Sequence, residues 1–197
     1  MNGVTSLLRC LLVAVTLASV ASCSSDTNDT GNGVFHWKIA TAVEIDAPAS
    51  RVWEVLVDLP AYSQWNPFIV QARGTVAVGE KLSLAMALPG RDPMTIEPRL
   101  LVVDPGRELR WKGQLFIPGL FDGEHAFVFT PLENGRTRVD HSERFAGLLL
   151  PIAKSMIYDA TVASFHALDA ALAKRAAGPL TAVGMTERSA GPGSDRD

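Results

Sequence analysis

Two histidines and one glutamate fall where they could do chemistry together. His125 lies in residues 121–129, and His141 and Glu143 lie in residues 138–145. Both segments alternate apolar and polar residues, which predicts β-strands, and the three side chains share the alternation phase of the large apolar residues. An imidazole beside a carboxylate can transfer a proton or orient a polar group of a ligand. We therefore predict a candidate site on the face that the two strands share.

The loop between these strands decides which residues face each other. A two-residue Asn134-Gly135 turn would direct the large apolar residues of one strand outward. A three-residue loop over residues 133–135 keeps them on one side, with Leu132 opposite Arg136 and Gly135 in the left-handed conformation. We predict the three-residue loop, because only this register gives one apolar face.

In this register His125 faces Glu143, and His141 faces Phe127. The His125–Glu143 pair has three interpretations: a core pair that satisfies its own hydrogen bonding, a polar anchor for the head group of an apolar ligand, or a general acid–base pair. No nucleophile or oxyanion-stabilising donor is evident in the sequence. A metal site of His125, His141 and Glu143 is a fourth interpretation, which we do not favour because no tight ligand spacing supports it.

The composition is that of a globular protein with one main domain. The chain has 197 residues, of which 47% are apolar and 20% charged, and a net charge of −3. A nucleic-acid-binding surface would need a basic surplus, so we expect no nucleic-acid partner. There is no glycine-rich phosphate loop, no Cys-x-x-Cys and no Gly-x-Ser-x-Gly motif. We predict no cofactor and no metal.

The N-terminus has the layout of an export signal. Residues 1–22 combine a lone Arg9 with an apolar run from Cys10 to Val20, which is typical of a signal peptide. The sequence Val20-Ala21-Ser22-Cys23 resembles a bacterial lipobox, which implies a lipid on Cys23. An ordinary secretory signal with a coincidental cysteine, or an uncleaved anchor, are the alternatives. We predict a protein anchored by lipid to a membrane on the extracytoplasmic side of a bacterial envelope.

The remaining chain predicts an α+β domain over residues 35–175, between a flexible tether (residues 23–34) and a disordered tail (residues 176–197). A short helix begins at Pro48, and a long helix runs from Pro151 to about Lys174. Strands are predicted at residues 37–45, 68–72, 82–88, 94–103 and 108–115, besides the two already described. One long helix laid across a curved antiparallel sheet would bury its apolar stripe and could leave a pocket.

Two loops beside the hairpin are unusually apolar, at residues 116–120 and 146–151. They either fold back into the core or, if exposed, form a patch suited to a membrane or to lipid entry.

Several segments resemble the START-like, or SRPBCC, superfamily in its polyketide cyclase/dehydrase-like branch. The resemblance covers residues 37–175, and it is carried by residues 44–53, 62–68, 105–111, 121–125 and 141–145. It implies the helix-grip fold, an antiparallel sheet that grips the C-terminal helix around a hydrophobic cavity, with two short helices after the first strand. Members bind lipids, sterols, hormones or polyketides, and some are cyclases or dehydratases. The lipobox departs from the usual cytoplasmic member, which makes envelope lipids a better fit than polyketide synthesis.

We therefore expect a membrane-tethered protein that binds a hydrophobic small molecule or lipid between the sheet and the long helix. The alternatives are a cyclase or dehydratase that uses His125 and Glu143 as its acid–base pair, and an envelope interaction module without a ligand. Binding is favoured over catalysis, and the sequence leaves the ligand and the oligomeric state open. The residues predicted to lie in the cavity are Trp111, His125, Phe127, Phe129, His141, Glu143, Phe145 and Met156.

Overall fold

The computed structural model describes residues 35–115 and 117–178. The predicted signal peptide, the tether with Cys23, and residues 179–197 of the predicted tail lie outside the described residues.

An antiparallel sheet and a long C-terminal helix form most of the domain. A second, smaller sheet is formed by the strands that directly follow the first helices in the sequence. The order is β1 (His36–Ile45), α1 (Ala49–Val57), α2 (Tyr62–Trp65), β2 (Ile69–Gly74), β3 (Leu82–Met86), β4 (Met94–Ile96), β5 (Arg99–Asp104), β6 (Glu108–Leu115), β7 (Phe121–Pro131), β8 (Thr137–Ala146) and α3 (Leu150–Ala177). Short 3₁₀ turns precede α2 and join β7 to β8.

The strands form a five-stranded sheet in the order β1-β8-β7-β6-β5 and a three-stranded sheet in the order β2-β3-β4. A bridge between Lys81 and Arg99 links the two sheets. Helix α3 packs on β1 and β8, and its inner side closes the core. The predicted α+β helix-grip architecture is confirmed.

The single strand predicted over residues 94–103 is wrong, because it is split between the two sheets. Residues Met94–Ile96 pair with β3, whereas Arg99–Asp104 pair with β6. The break falls at Glu97 and Pro98, where proline has no N–H to donate to a strand ladder. The Pro98 carbonyl instead accepts a hydrogen bond from the Leu82 amide at 2.9 Å.

Helix α3 is longer than predicted, and its inner stripe differs from the predicted one. The helical spacing of apolar residues in 151–174 would include Ala163 and Ala167 in the inner stripe, but both are exposed. A methyl group gains little from burial, so larger side chains decide the helix rotation. The buried positions are Leu150, Thr161, Ser164, Phe165, Leu168, Asp169, Leu172 and Ala176.

Candidate functional site

The predicted hairpin register is confirmed. His125 pairs with Glu143 across β7 and β8, and Phe127 pairs with His141. The Leu132 amide donates to the Arg136 carbonyl at 2.9 Å, which closes the three-residue loop.

Two consecutive loop residues take the left-handed conformation. Gly135 has the predicted positive φ, of 73°, and Asn134 has a φ of 61°, which the sequence had not indicated. Asparagine tolerates this conformation better than most residues with a side chain.

A cavity of about 490 Å³ opens between the two sheets and the first turns of α3. Its wall is mainly apolar: Trp111, Phe121 and Phe145 come from the five-stranded sheet, called the long sheet from here on, and Ala153 and Ile157 come from α3. The polar residues in the lining are Arg91, Gln114, Glu143 and Thr161. Such a wall suits an apolar body with one or two polar groups.

Four of the eight residues predicted to lie in the cavity do line it, namely Trp111, Glu143, Phe145 and Met156. The other four, His125, Phe127, Phe129 and His141, are buried in the core and are not part of the cavity wall. The reason is that the shared face of the hairpin is longer than the cavity. Phe165 of the helix packs against His141 and His125 and covers this part of the face. The alternation pattern therefore predicted which residues share the face, but not how deeply each is buried.

The buried histidines form a polar chain with two carboxylates. Glu143 Oε2 lies 3.5 Å from His125 Nδ1, and His125 Nε2 lies 2.8 Å from His141 Nε2. His141 Nδ1 lies 2.6 Å from Asp169 Oδ1 on α3. The polar chain therefore runs from Asp169 on the helix, through His141 and His125 on two strands, to Glu143 at the cavity wall.

Asp169 is the member that the sequence analysis missed. It follows Phe165 by four residues and Thr161 by eight, so it lies on the inner stripe of α3. A carboxylate that interrupts a buried helical stripe is a signal for a polar partner opposite. Asp169 Oδ2 has no hydrogen-bond partner among the described residues.

Hydrogen-bond directions in the chain follow from counting protons. The Asp169 carboxylate accepts from His141 Nδ1–H, so the other nitrogen of a neutral His141 accepts from His125 Nε2–H. The remaining His125 nitrogen, Nδ1, faces Glu143 Oε2 at 3.5 Å, which is an ion-pair distance rather than a hydrogen bond.

Aromatic rings hold both imidazoles in place. His141 stacks on Phe165 with a centroid distance of 3.9 Å and on Phe127 at 4.3 Å, and His125 stacks on Trp111 at 4.5 Å. Burial lowers the pKa of His141 to about 4, although its hydrogen bond to Asp169 acts in the opposite direction. His141 is therefore neutral at pH 7, as assumed in assigning the hydrogen-bond directions.

The metal interpretation finds no support in the geometry. The two Nε2 atoms of His125 and His141 face each other, and within residues 35–115 and 117–178 no three His, Cys, Asp or Glu side chains are arranged around a common ion position.

The apolar loops are partly core and partly exposed. Leu150 is fully buried, whereas Ile117 and Leu148 are 64% and 68% exposed. The Leu148 amide donates to the Gly119 carbonyl at 3.1 Å, so the two loops are joined. Ile152 and Met156, in the first turns of α3 directly after these loops, are also exposed and line the cavity. We call Ile117, Leu148, Ile152 and Met156 the mouth patch.

Comparisons with known proteins agree with this geometry. Residues 36–176 match the family described as "Polyketide cyclase / dehydrase and lipid transport". No functionally curated protein sequence matches the chain.

Several solved structures are similar. The Zhui aromatase/cyclase from Streptomyces sp. R1128 aligns with a TM-score of 0.60 and 21% identity, covering 72% of this chain and 93% of that one. A START superfamily protein from Mycobacterium smegmatis aligns with a TM-score of 0.57 and 20% identity, covering 71% and 96%. Norcoclaurine synthase from Thalictrum flavum gives 0.56 and 14%, covering 72% and 96%. At these identities the likeness shows the fold.

Proposed function

We propose that this chain, which belongs to the polyketide cyclase/dehydrase and lipid transport family of START-like proteins as its sequence resemblance predicted, binds a hydrophobic small molecule or lipid in its cavity. We also propose that a lipid on Cys23 tethers it to a membrane. The observation that carries the proposal is the apolar cavity between the sheets and α3.

The size and lining of the cavity support binding. Its volume of about 490 Å³ lies within the range of roughly 300–1,000 Å³ that is usual for small-molecule sites. Each Å² of apolar ligand surface buried there contributes about 25 cal/mol. A module without a ligand would fill this space with its own side chains, so the cavity argues against that alternative.

The mouth patch supports a position next to a bilayer. Exposed apolar side chains that border a cavity mark a surface for lipid or protein contact. The Gly147 amide donates to the Phe35 carbonyl at 3.1 Å, so the chain that leads from Cys23 enters the domain beside the mouth patch. The 12 residues from 23 to 34 can span at most about 40 Å. Lipid at Cys23 would thus keep the mouth patch close to the membrane.

None of the helices formed by the described residues combines the length and the apolarity that a membrane crossing needs.

Ligand binding is tested by native mass spectrometry of the protein isolated from its own membrane, followed by thermal unfolding of delipidated protein across a lipid panel. We expect retained apolar mass and a higher Tm with the lipids that bind. A protein that retains no apolar mass and whose Tm is unchanged by every lipid would contradict the proposal.

The tether is tested separately by metabolic labelling with a fatty acid. Cys23→Ser should abolish the label and release the protein from the membrane fraction, whereas Cys10→Ser is the matched control and should change neither. Label that persists in Cys23→Ser would overturn the predicted anchor.

A second candidate function is a cyclase or dehydratase, and the polar chain favours it. Glu143 lies 3.5 Å from His125 at the cavity wall, and His141 and Asp169 hold His125 in one orientation. Such a pair could take a proton from one substrate atom and return it to another. Turnover of β-hydroxy ketone probes should then fall by at least about 100-fold in His125→Ala and be unchanged in His36→Ala. Full turnover by His125→Ala would rule this function out.

A further inference from the structure

Glu143 is the one carboxylate among the described residues that line the cavity. Its side chain is 14% exposed. Its Oε1 atom lies beside Gly123, in space that a side chain at that position would occupy. A Cβ atom on Gly123 would lie 2.7 Å from Oε1. The sheet thus leaves room for this carboxylate beside the wall of an apolar cavity.

The carboxylate is short of hydrogen-bond partners. Within the described part of the chain its polar neighbour is His125 Nδ1, at an ion-pair distance of 3.5 Å. An ionised carboxylate has about four acceptor positions, so Glu143 can accept a hydrogen bond from a ligand. The ligand group that fits is a donor.

Charge decides which donor fits best. The polar chain has a carboxylate at each end, Glu143 at the cavity wall and Asp169 in the core. Arg91 is the one cationic residue among the described lining residues, and it is exposed and donates to the Met156 carbonyl at 3.1 Å. Charges interact strongly in an apolar surrounding, which favours a cation and disfavours an anion near Glu143.

The rings near Glu143 point to the same class of ligand. Trp111, Phe121 and Phe145 line the cavity, and a Cβ on Gly123 would lie 3.7 Å from Phe145 Cδ1 as well as close to Glu143. Aromatic faces attract ammonium groups, and cages of aromatic rings recur in proteins that bind them.

We propose that the cavity takes hydrophobic amines, with the apolar body against the aromatic and aliphatic wall and the protonated amine donating to Glu143. This inference rests on the proposed ligand-binding function and names its ligand class.

Isothermal titration calorimetry of the delipidated protein with decylammonium, decanol and decanoate, each below its micellar concentration, tests the proposal. The three probes share an alkyl chain and differ in head group. We expect decylammonium to bind at least about tenfold more tightly than decanol, and decanoate to bind most weakly. Equal affinities, or tightest binding of decanoate, would overturn the amine assignment alone. Binding of none of the three would overturn the proposed function with it.

Glu143→Gln removes the charge and keeps the shape of the side chain. We expect it to weaken decylammonium binding at least about tenfold and decanol binding less than about threefold. Glu97→Gln, outside the cavity lining, is the control and should leave both unchanged. An unchanged amine affinity in a folded Glu143→Gln protein would contradict the proposal, and if that variant does not fold, the ranking of the three probes on the native protein decides.

Discussion

His125 and His141 face each other through their Nε2 atoms, 2.8 Å apart, in the core between the long sheet and α3. Only one of the two nitrogens can carry the proton of that hydrogen bond, so the tautomers of both rings are linked. Asp169 on the helix sets the tautomer of His141 and thereby orients His125 toward Glu143 at the cavity. Helix packing and the polar group of the cavity wall therefore depend on the same chain of contacts.

Loss of Asp169 should destabilise the fold. Asp169→Ala leaves the buried His141 Nδ1–H without an acceptor, and an unsatisfied buried donor costs about 1–3 kcal/mol. Urea unfolding of Asp169→Ala should show this loss in the free energy of unfolding. Asp159→Ala, at an exposed site on the same helix, should stay within about 0.5 kcal/mol of the parent. Equal effects of the two substitutions would contradict a structural role for the polar chain.

Acid should weaken the fold through His141. The folded pKa, lowered by burial to about 4, lies below the unfolded value of 6.5, so between these pH values the unfolded chain binds a proton that the folded chain does not. Stability is therefore highest above pH 6.5 and falls as the pH drops toward 4, by about 2–3 kcal/mol for this group.

The measurement is a series of urea unfolding curves from pH 7.5 to 4. The titratable groups near His141 are Asp169, His125 and His166, with Glu143 reached through His125. His36→Gln, at an exposed site, should reproduce the parent curve. A stability that rises as the pH falls from 6.5 to 4 would show that His141 is not buried as a neutral ring.

The joined loops at the mouth should depend on Gly147. Its φ is 145°, and a Cβ there would lie 2.4 Å from the Leu120 carbonyl oxygen. Gly147→Ala should therefore cost about 3 kcal/mol of unfolding free energy, whereas Gly119→Ala meets nothing within 4 Å and should cost about 1 kcal/mol for its positive φ. A smaller loss for Gly147→Ala than for Gly119→Ala would contradict the loop geometry.

The mouth patch should contact the bilayer when the lipidated protein is anchored to vesicles. Hydrogen exchange of residues 146–156 should slow on anchoring, because a bilayer excludes water from them. Leu148→Asp should reduce this protection, since burying a charge is costly, and Val78→Asp, at a similarly exposed site outside the cavity lining, should not. Exchange that does not respond to anchoring would place the patch away from the membrane.

The hairpin was predictable because its register depends on local rules. Alternation fixes which side chains share a face, and the 133–135 loop fixes which residues pair, so His125 opposite Glu143 followed from sequence alone.

How deeply each residue of that face is buried was not predictable, because it depends on where α3 packs. Whether His141 reaches the cavity or the core is decided by Phe165, which stacks on it from the helix. Asp169 was missed for the same reason: its partner is 28 residues away in sequence, and an acidic residue on a helix is usually at the surface. Pro98 did carry a local signal for the break between β4 and β5, since proline disfavours strand interiors.

The most direct test of ligand binding in the cavity compares two tryptophan substitutions on α3. Ala153 lines the cavity and Ala163 faces solvent on the same helix, so Ala153→Trp fills the cavity and Ala163→Trp is its matched control. Fluorescence titration with the neutral apolar probe N-phenyl-1-naphthylamine should show saturable binding to the parent and to Ala163→Trp. Ala153→Trp should bind it at least about tenfold more weakly. Equal binding by the two variants, or no saturable binding to the parent, would contradict ligand binding in this cavity.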